Sequence, residues 1–193
     1  MNVRWVALIL LGAIGTGRTH AAEKIQVAVY LQSDNWSRST GATEMMVSEI
    51  FRRIDVNVAW HGERMPAVCP VEGRCIGIRF EDVAPATTST NALAVARPFG
   101  TTGSLITVYK DRVEKLLQSY SSVAHNLVAY VFVHELAHVM QGSDYHSADG
   151  ILKANWSRQD LEAMSSGRFS FAEGDVRRIH AGLAQPPLSL AAR

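Results

Sequence analysis

Cysteine is scarce in this chain: Cys69 and Cys75 are the only two among 193 residues. A zinc ribbon needs two cysteine pairs, so the chain lacks the ligands for one. An excess of one charge is missing as well. Nineteen Lys and Arg face eighteen Asp and Glu, with no basic stripe, so nucleic acid or an anionic membrane has no electrostatic footprint to recognise. Long apolar runs are also wanting. The longest near the N-terminus, Trp5 to Ile14, has ten residues, too few for about 30 Å of hydrocarbon, and no stop-transfer cluster flanks it. Repeats, heptads and low-complexity tracts are absent. What is present, 47% hydrophobic and 19% charged residues, is the composition of an ordinary globular protein. A chain of this length can bury one sizeable core.

The first residues have a layout of their own. Arg4 precedes the apolar run, and Thr19-His20-Ala21-Ala22 supplies small residues after it. This is the order of a secretory signal peptide cleaved after Ala21 or Ala22, a retained anchor being the alternative. The expectation is a leader over 1–21 and a single domain over 22–193, secreted or periplasmic, monomeric and without stable membrane insertion after cleavage. Loss of Arg4 and Arg18 shifts the net charge from +1 to near −1. An oxidising compartment favours a Cys69–Cys75 disulfide around Pro70-Val71-Glu72-Gly73-Arg74. A loop so short contributes on the order of 2–3 kcal/mol at most. Two free thiols or half of a zinc site are the alternatives.

Hydrophobic patterning predicts an α+β order of elements. Lys24 to Leu31 alternates as a strand with one buried face (Ile25, Val27, Val29, Leu31). Ser39 or Thr40 can cap a helix running to Ile54, with Met46, Ile50 and Ile54 stacked. Val56, Val58 and Trp60 mark a second strand and Cys75 to Phe80 a third. Ala92 to Ala96 reads as a short edge strand limited by Pro98, and Ser104 to Tyr109 as another. Asp111 can cap a helix from Val113 to Tyr120. A long helix over 122–141 and two short ones over 158–165 and 172–183 close the chain.

Chemistry concentrates in the long helix, at His134-Glu135-Leu136-Ala137-His138. Histidines four apart lie one helical turn apart on one face, where both imidazoles reach a single Zn²⁺ at about 2.0–2.1 Å. Glu135 leans to one side of that face, placed to accept a proton from a metal-bound water and pass it to a leaving group. The surrounding apolar residues, Leu127 to Val133 with Val139 and Met140, describe a buried helix. Two imidazoles and a carboxylate there are costly unless a metal or partner satisfies them. Gly142 can end the helix and turn the chain back. His146 in the returning segment is the favoured third ligand, Asp144 the alternative, which leaves a fourth position for water.

The run His134-Glu135-x-x-His138-x-x-x-Gly142-x-x-x-His146 resembles the extended motif of the metzincin zinc metallopeptidases, H-E-x-x-H-x-x-G-x-x-H. It is also similar to bacterial secreted metzincin-like proteins of unassigned substrate, whose motif continues as His-Ser-x-x-Gly-Ile-Met. Here the continuation is His146-Ser147-Ala148-Asp149-Gly150-Ile151-Leu152. The glycine stands one residue later than in the metzincin pattern and the third histidine two later, so that Asp144 occupies the strict third-ligand position. Leu152 replaces the methionine of the turn under the metal. The resemblance implies a zincin-like mixed β-sheet with a long active-site helix and a small C-terminal helical part. It also implies a peptidase working through zinc-bound water and Glu135 on a peptide or protein substrate. A non-catalytic zinc-stabilised binding module and a zinc amidase acting on cell-wall peptides are the alternatives.

Other residues carry weaker signals. His61, His125 and His180 are isolated and read as surface or capping groups. Tyr145 and Tyr109 could stabilise an oxyanion, but packing with a hydrogen-bonded hydroxyl is the favoured reading of each. Trp156 reads as core and Asp149-Gly150 as a turn. An edge strand near 92–96 or 104–109 could align an extended peptide over the metal.

Overall fold

Alternating β-branched and aliphatic residues build five strands, and these pair into one mixed sheet. The computed structural model describes residues 25–32, 41–62, 64–67, 69, 75–100, 103–120 and 126–185, leaving the leader expected over 1–21 outside. The strands are β1 (Ile25–Leu31), β2 (Val56–His61), β3 (Cys75–Glu81), β4 (Ala94–Gly100) and β5 (Gly103–Tyr109), in sheet order β2-β1-β3-β5-β4. Every pairing is parallel except that of β4 with β5. The helices are α1 (Gly41–Arg52), α2 (Lys110–Ser119), α3 (Leu127–Gln141), α4 (Arg158–Ser165) and α5 (Glu173–Ala184).

One face of the sheet carries the main core. Val27, Val29, Ile76, Ile78, Ile106 and Val108 meet Val47, Ile50 and Phe51 of α1 and the apolar length of α3. Twelve of the fifteen α3 residues are buried, which makes it the central helix that an all-round apolar sequence demands. Its Phe132 sits between Trp60 and Phe80, with ring centroids 6.4 and 6.1 Å away.

Several boundaries differ from the patterning. β1 is buried on both faces from Val27 to Leu31 rather than on one. It is an inner strand, and its second face lies under Met65, Cys69 and Cys75, where Tyr30 stacks on His61 at 4.7 Å. On α1 the buried stripe is Val47, Ile50 and Phe51, with Met46 and Ile54 at its margin; residues 39–40, the expected cap, lie outside the described residues. The third helix begins at Leu127, and 121–125 lie outside as well. Asp111 does not cap α2, because β5 runs straight into the helix at Tyr109; it sits in the first turn and accepts from the Ala84 N–H at 3.3 Å. Pro98 does not end β4 either. The strand continues through it with a register shift between Arg97 and Gly100, which an edge position tolerates.

Cys69 and Cys75 form a disulfide, with Cα atoms 5.7 Å apart. That fits an oxidising compartment and removes both cysteines from the pool of metal ligands. Among the described residues no helix is long and apolar enough to cross a membrane.

α5 packs against the end of α3 through Gly182. A Cβ there would lie 2.2 Å from the Met140 carbonyl oxygen and 2.8 Å from the Gln141 Cα. Backbone atoms cannot rotate aside, so the helices would have to separate. Gly182→Ala is expected to destabilise the protein by about 1–3 kcal/mol, read as a lowered thermal midpoint. An unchanged midpoint would show that α5 is not held at this distance.

Candidate metal centre

α3 presents its polar residues at one point of an otherwise apolar surface. His134 and His138, one turn apart, direct their Nε2 atoms to within 3.0 Å of each other. The helix ends at Gly142, which has a left-handed conformation (φ 68, ψ 26) and returns its N–H to the His138 carbonyl, as expected of a glycine cap. The chain then doubles back and brings the His146 Nε2 to 3.3 Å from that of His138. The three histidines place one ligand atom each within 4.8 Å of one another. Asp144 lines the same cleft but lies outside this convergence.

Tautomers follow from the acceptors. Nδ1 of His134 lies 2.9 Å from the Ile151 carbonyl oxygen and Nδ1 of His138 lies 3.0 Å from that of Ser143. A carbonyl only accepts, so both protons reside on Nδ1 and both Nε2 atoms are bare lone pairs. Lone pairs facing each other at this distance repel unless a cation lies between them. Two nitrogens on a tetrahedral ion with bonds of about 2.0–2.1 Å are about 3.3–3.4 Å apart, close to the separations seen. The residues therefore fit a metal ion, and a set of three imidazole nitrogens suits the borderline-soft divalent ions, zinc among them.

Electrostatics support the neutral forms. Loss of solvent, together with the neighbouring His138, pushes the His134 pKa down to about 4, against the opposing bond to Ile151. Burial likewise holds His138 below its ordinary value, while the Ser143 carbonyl and the carboxylates of Asp144 and Asp175 oppose it. Glu135 is 9% exposed. Burial raises its pKa to about 7, with a backbone bond from Ala96 on β4 working the other way. A carboxylate tuned near neutrality is suited to taking and returning a proton.

The histidines and Glu135 line a cleft of about 1130 Å³. One wall is the 89–96 segment with β4; the other is the returning loop with Lys153, Asn155 and Trp156. Of the two strands considered for peptide pairing, β5 is enclosed between β3 and β4, and β4 is the outermost of the described strands on that side.

The floor is built by the loop after His146. Leu152, at the position of the expected methionine, is fully buried and accepts from the Ser147 N–H at 2.9 Å. Trp156 donates to the Ile151 carbonyl at 3.1 Å and sets its ring edge-on to His134, so it both packs on the core and lines the cleft. Gly150 turns with φ 77. The two tyrosines do not line the cleft. Tyr145 is 49% exposed beneath the Arg178 guanidinium, and Tyr109 is buried near Thr88 and Arg112. His180 bonds the Ile54 carbonyl at 2.6 Å and His61 stacks on Tyr30, so neither joins the centre; His125 lies outside the described residues.

The sequence patterning did not single out two positions. Gln141, three residues after His138, donates to the carbonyls of Ser143 and Tyr145 at 3.1 and 3.0 Å. Asp175, in the first turn of α5, is fully buried and reaches Ser147. The helical spacing of Gln141 from His138 was a usable signal; nothing local marked Asp175.

No family model and no characterised protein matches the sequence. Among solved structures, the GM1 bound form of the ECX AB5 holotoxin aligns over 82% of this chain and 78% of that chain, at 11% identity and a TM-score of 0.42. Likeness that distant carries no inference about fold family or activity.

Proposed function

We propose that this chain is an exported, zinc-dependent metallopeptidase of metzincin-like type, with His134, His138 and His146 as ligands and Glu135 as general base and acid. The observation that carries this reading is the convergence of three imidazole nitrogens at the floor of a cleft, with the Glu135 carboxyl on the same helix. A bound zinc ion would supply the Lewis acidity that makes water a nucleophile near neutral pH. Glu135 then takes the proton of the attacking water and delivers it to the departing amine, work that its depth and near-neutral pKa favour. The outer edge of β4, unpaired among the described strands, offers main-chain groups to an extended peptide, and it borders the cleft that holds the histidines. Among the described residues neither Asp144 nor the disulfide-bonded cysteines join the three histidines, which would leave a bound ion open to solvent or substrate.

Metal analysis of the purified protein is expected to find one equivalent of zinc per chain. Incubation with a mixed peptide library, scored by mass spectrometry, is expected to generate new amino termini. Zinc without cleavage of that library or of cell-wall peptides would overturn the enzyme and leave a binding module. Cleavage confined to cell-wall peptides would replace the general peptidase with an amidase.

A further inference from the structure

His146 differs from the other two histidines: it is exposed and stands on a loop. Packing does not hold it, so its neighbours must. On one side, Gln141 ties the Tyr145 carbonyl to α3. On the other, the Ser147 hydroxyl lies 3.0 Å from Oδ2 of Asp175, which is 0% exposed. The same carboxylate accepts from Arg178 at 2.6 Å and from the Ala172 N–H at 3.3 Å. Arg178 in turn covers the Tyr145 ring, 4.1 Å from its centroid. Residues 145 and 147 are thus both engaged by α5, and His146 stands between them.

We infer that Asp175 is a positioning residue for the metal centre: acting through the Ser147 hydroxyl, it holds His146 within reach of the ion. The Ser147 hydroxyl has one proton and two acceptors in range, the Asp149 carbonyl at 2.7 Å and Asp175. A charged acceptor makes the stronger bond, and a lone pair left facing the carboxylate would be repelled. The hydroxyl therefore serves the carboxylate, and the burial of Asp175 makes that anchor rigid. α5 contributes no ligand to the site, yet it fixes the one ligand that α3 does not carry. The inference rests on the proposed metal centre and not on peptidase activity.

The test is metal binding by the full chain, using zinc alone in competition with a chelator and the visible spectrum of the cobalt-loaded protein. Ser147→Ala is expected to weaken zinc binding roughly 10–100-fold, the usual cost of losing a group that orients a ligand. The cobalt spectrum should change, while the thermal midpoint of the metal-free protein stays where it was. Ser147→Thr restores the hydroxyl and should restore affinity. Asp175→Asn should weaken binding too, and the double variant should be no worse than the more affected single one, since both disrupt the same Ser147–Asp175 contact. Additive losses, or an affinity in Ser147→Ala equal to the parent, overturn the inference. So does Ser147→Thr behaving like Ser147→Ala. If Asp175→Asn does not fold, the two Ser147 variants decide alone. Absence of metal from the unsubstituted protein would overturn the centre itself, an outcome distinct from equal binding by parent and variant.

Discussion

Glu135→Gln is expected to lower kcat roughly 10²–10⁴-fold while leaving zinc content unchanged. The substitution keeps the shape of the side chain and an oxygen able to accept from the Ala96 N–H, so the packing of α3 against β4 survives. What disappears is a basic atom. An amide can neither accept a proton from the attacking water nor return one to the amine, and no other carboxylate on α3 is available to replace it. The comparison needs a peptide substrate, steady-state kinetics and metal analysis on the same preparation. Undiminished kcat would remove Glu135 from the reaction. Loss of zinc together with activity would instead make it a ligand.

His146→Ala is expected to weaken zinc binding by more than roughly 10²-fold, and Asp144→Ala to leave it near the parent value. The lower bound follows from what orienting groups are worth: losing one costs about 10–100-fold, and losing the ligand itself must cost more. His134 and His138 would remain in place, since α3 is buried along its length and their Nδ1 protons still meet the carbonyls of Ile151 and Ser143. Two imidazoles alone hold an ion poorly. Asp144 lies in the cleft but outside the converging nitrogens. Titration of both variants with zinc against a chelator separates the cases. The opposite ranking would return the third-ligand role to Asp144.

Much of the architecture was legible in local pattern, because strand and helix periods are local quantities. The alternation of Val56, Val58 and Trp60 and the matching run in β5 named their strands correctly. So did the spacing of His134 and His138, since four residues on a helix put two side chains on one face whatever surrounds them. Pattern was silent where a neighbour distant in sequence made the decision. β1 alternates as a half-buried strand does, yet Met65, Cys69 and Cys75 cover its second face. Pro98 would stop an inner strand, and β4 tolerates it only because it lies at the sheet edge.

The third ligand shows the same division. The sequence by itself determined that two histidines and a glutamate share a face of a buried helix, that Gly142 ends it, and that His146 and Asp144 compete for the place that follows. Those are consequences of helical geometry and of ligand chemistry within a dozen residues. Only the tertiary structure brought the His146 nitrogen to those of His134 and His138 and left Asp144 outside the group, and only it set Asp175 and Gln141 against the residues on either side of His146. An exposed loop has no periodicity to reveal its path. Its course is set by contacts with α5, such as that of Ser147 with Asp175 28 residues downstream, and by the depth at which Leu152 is buried.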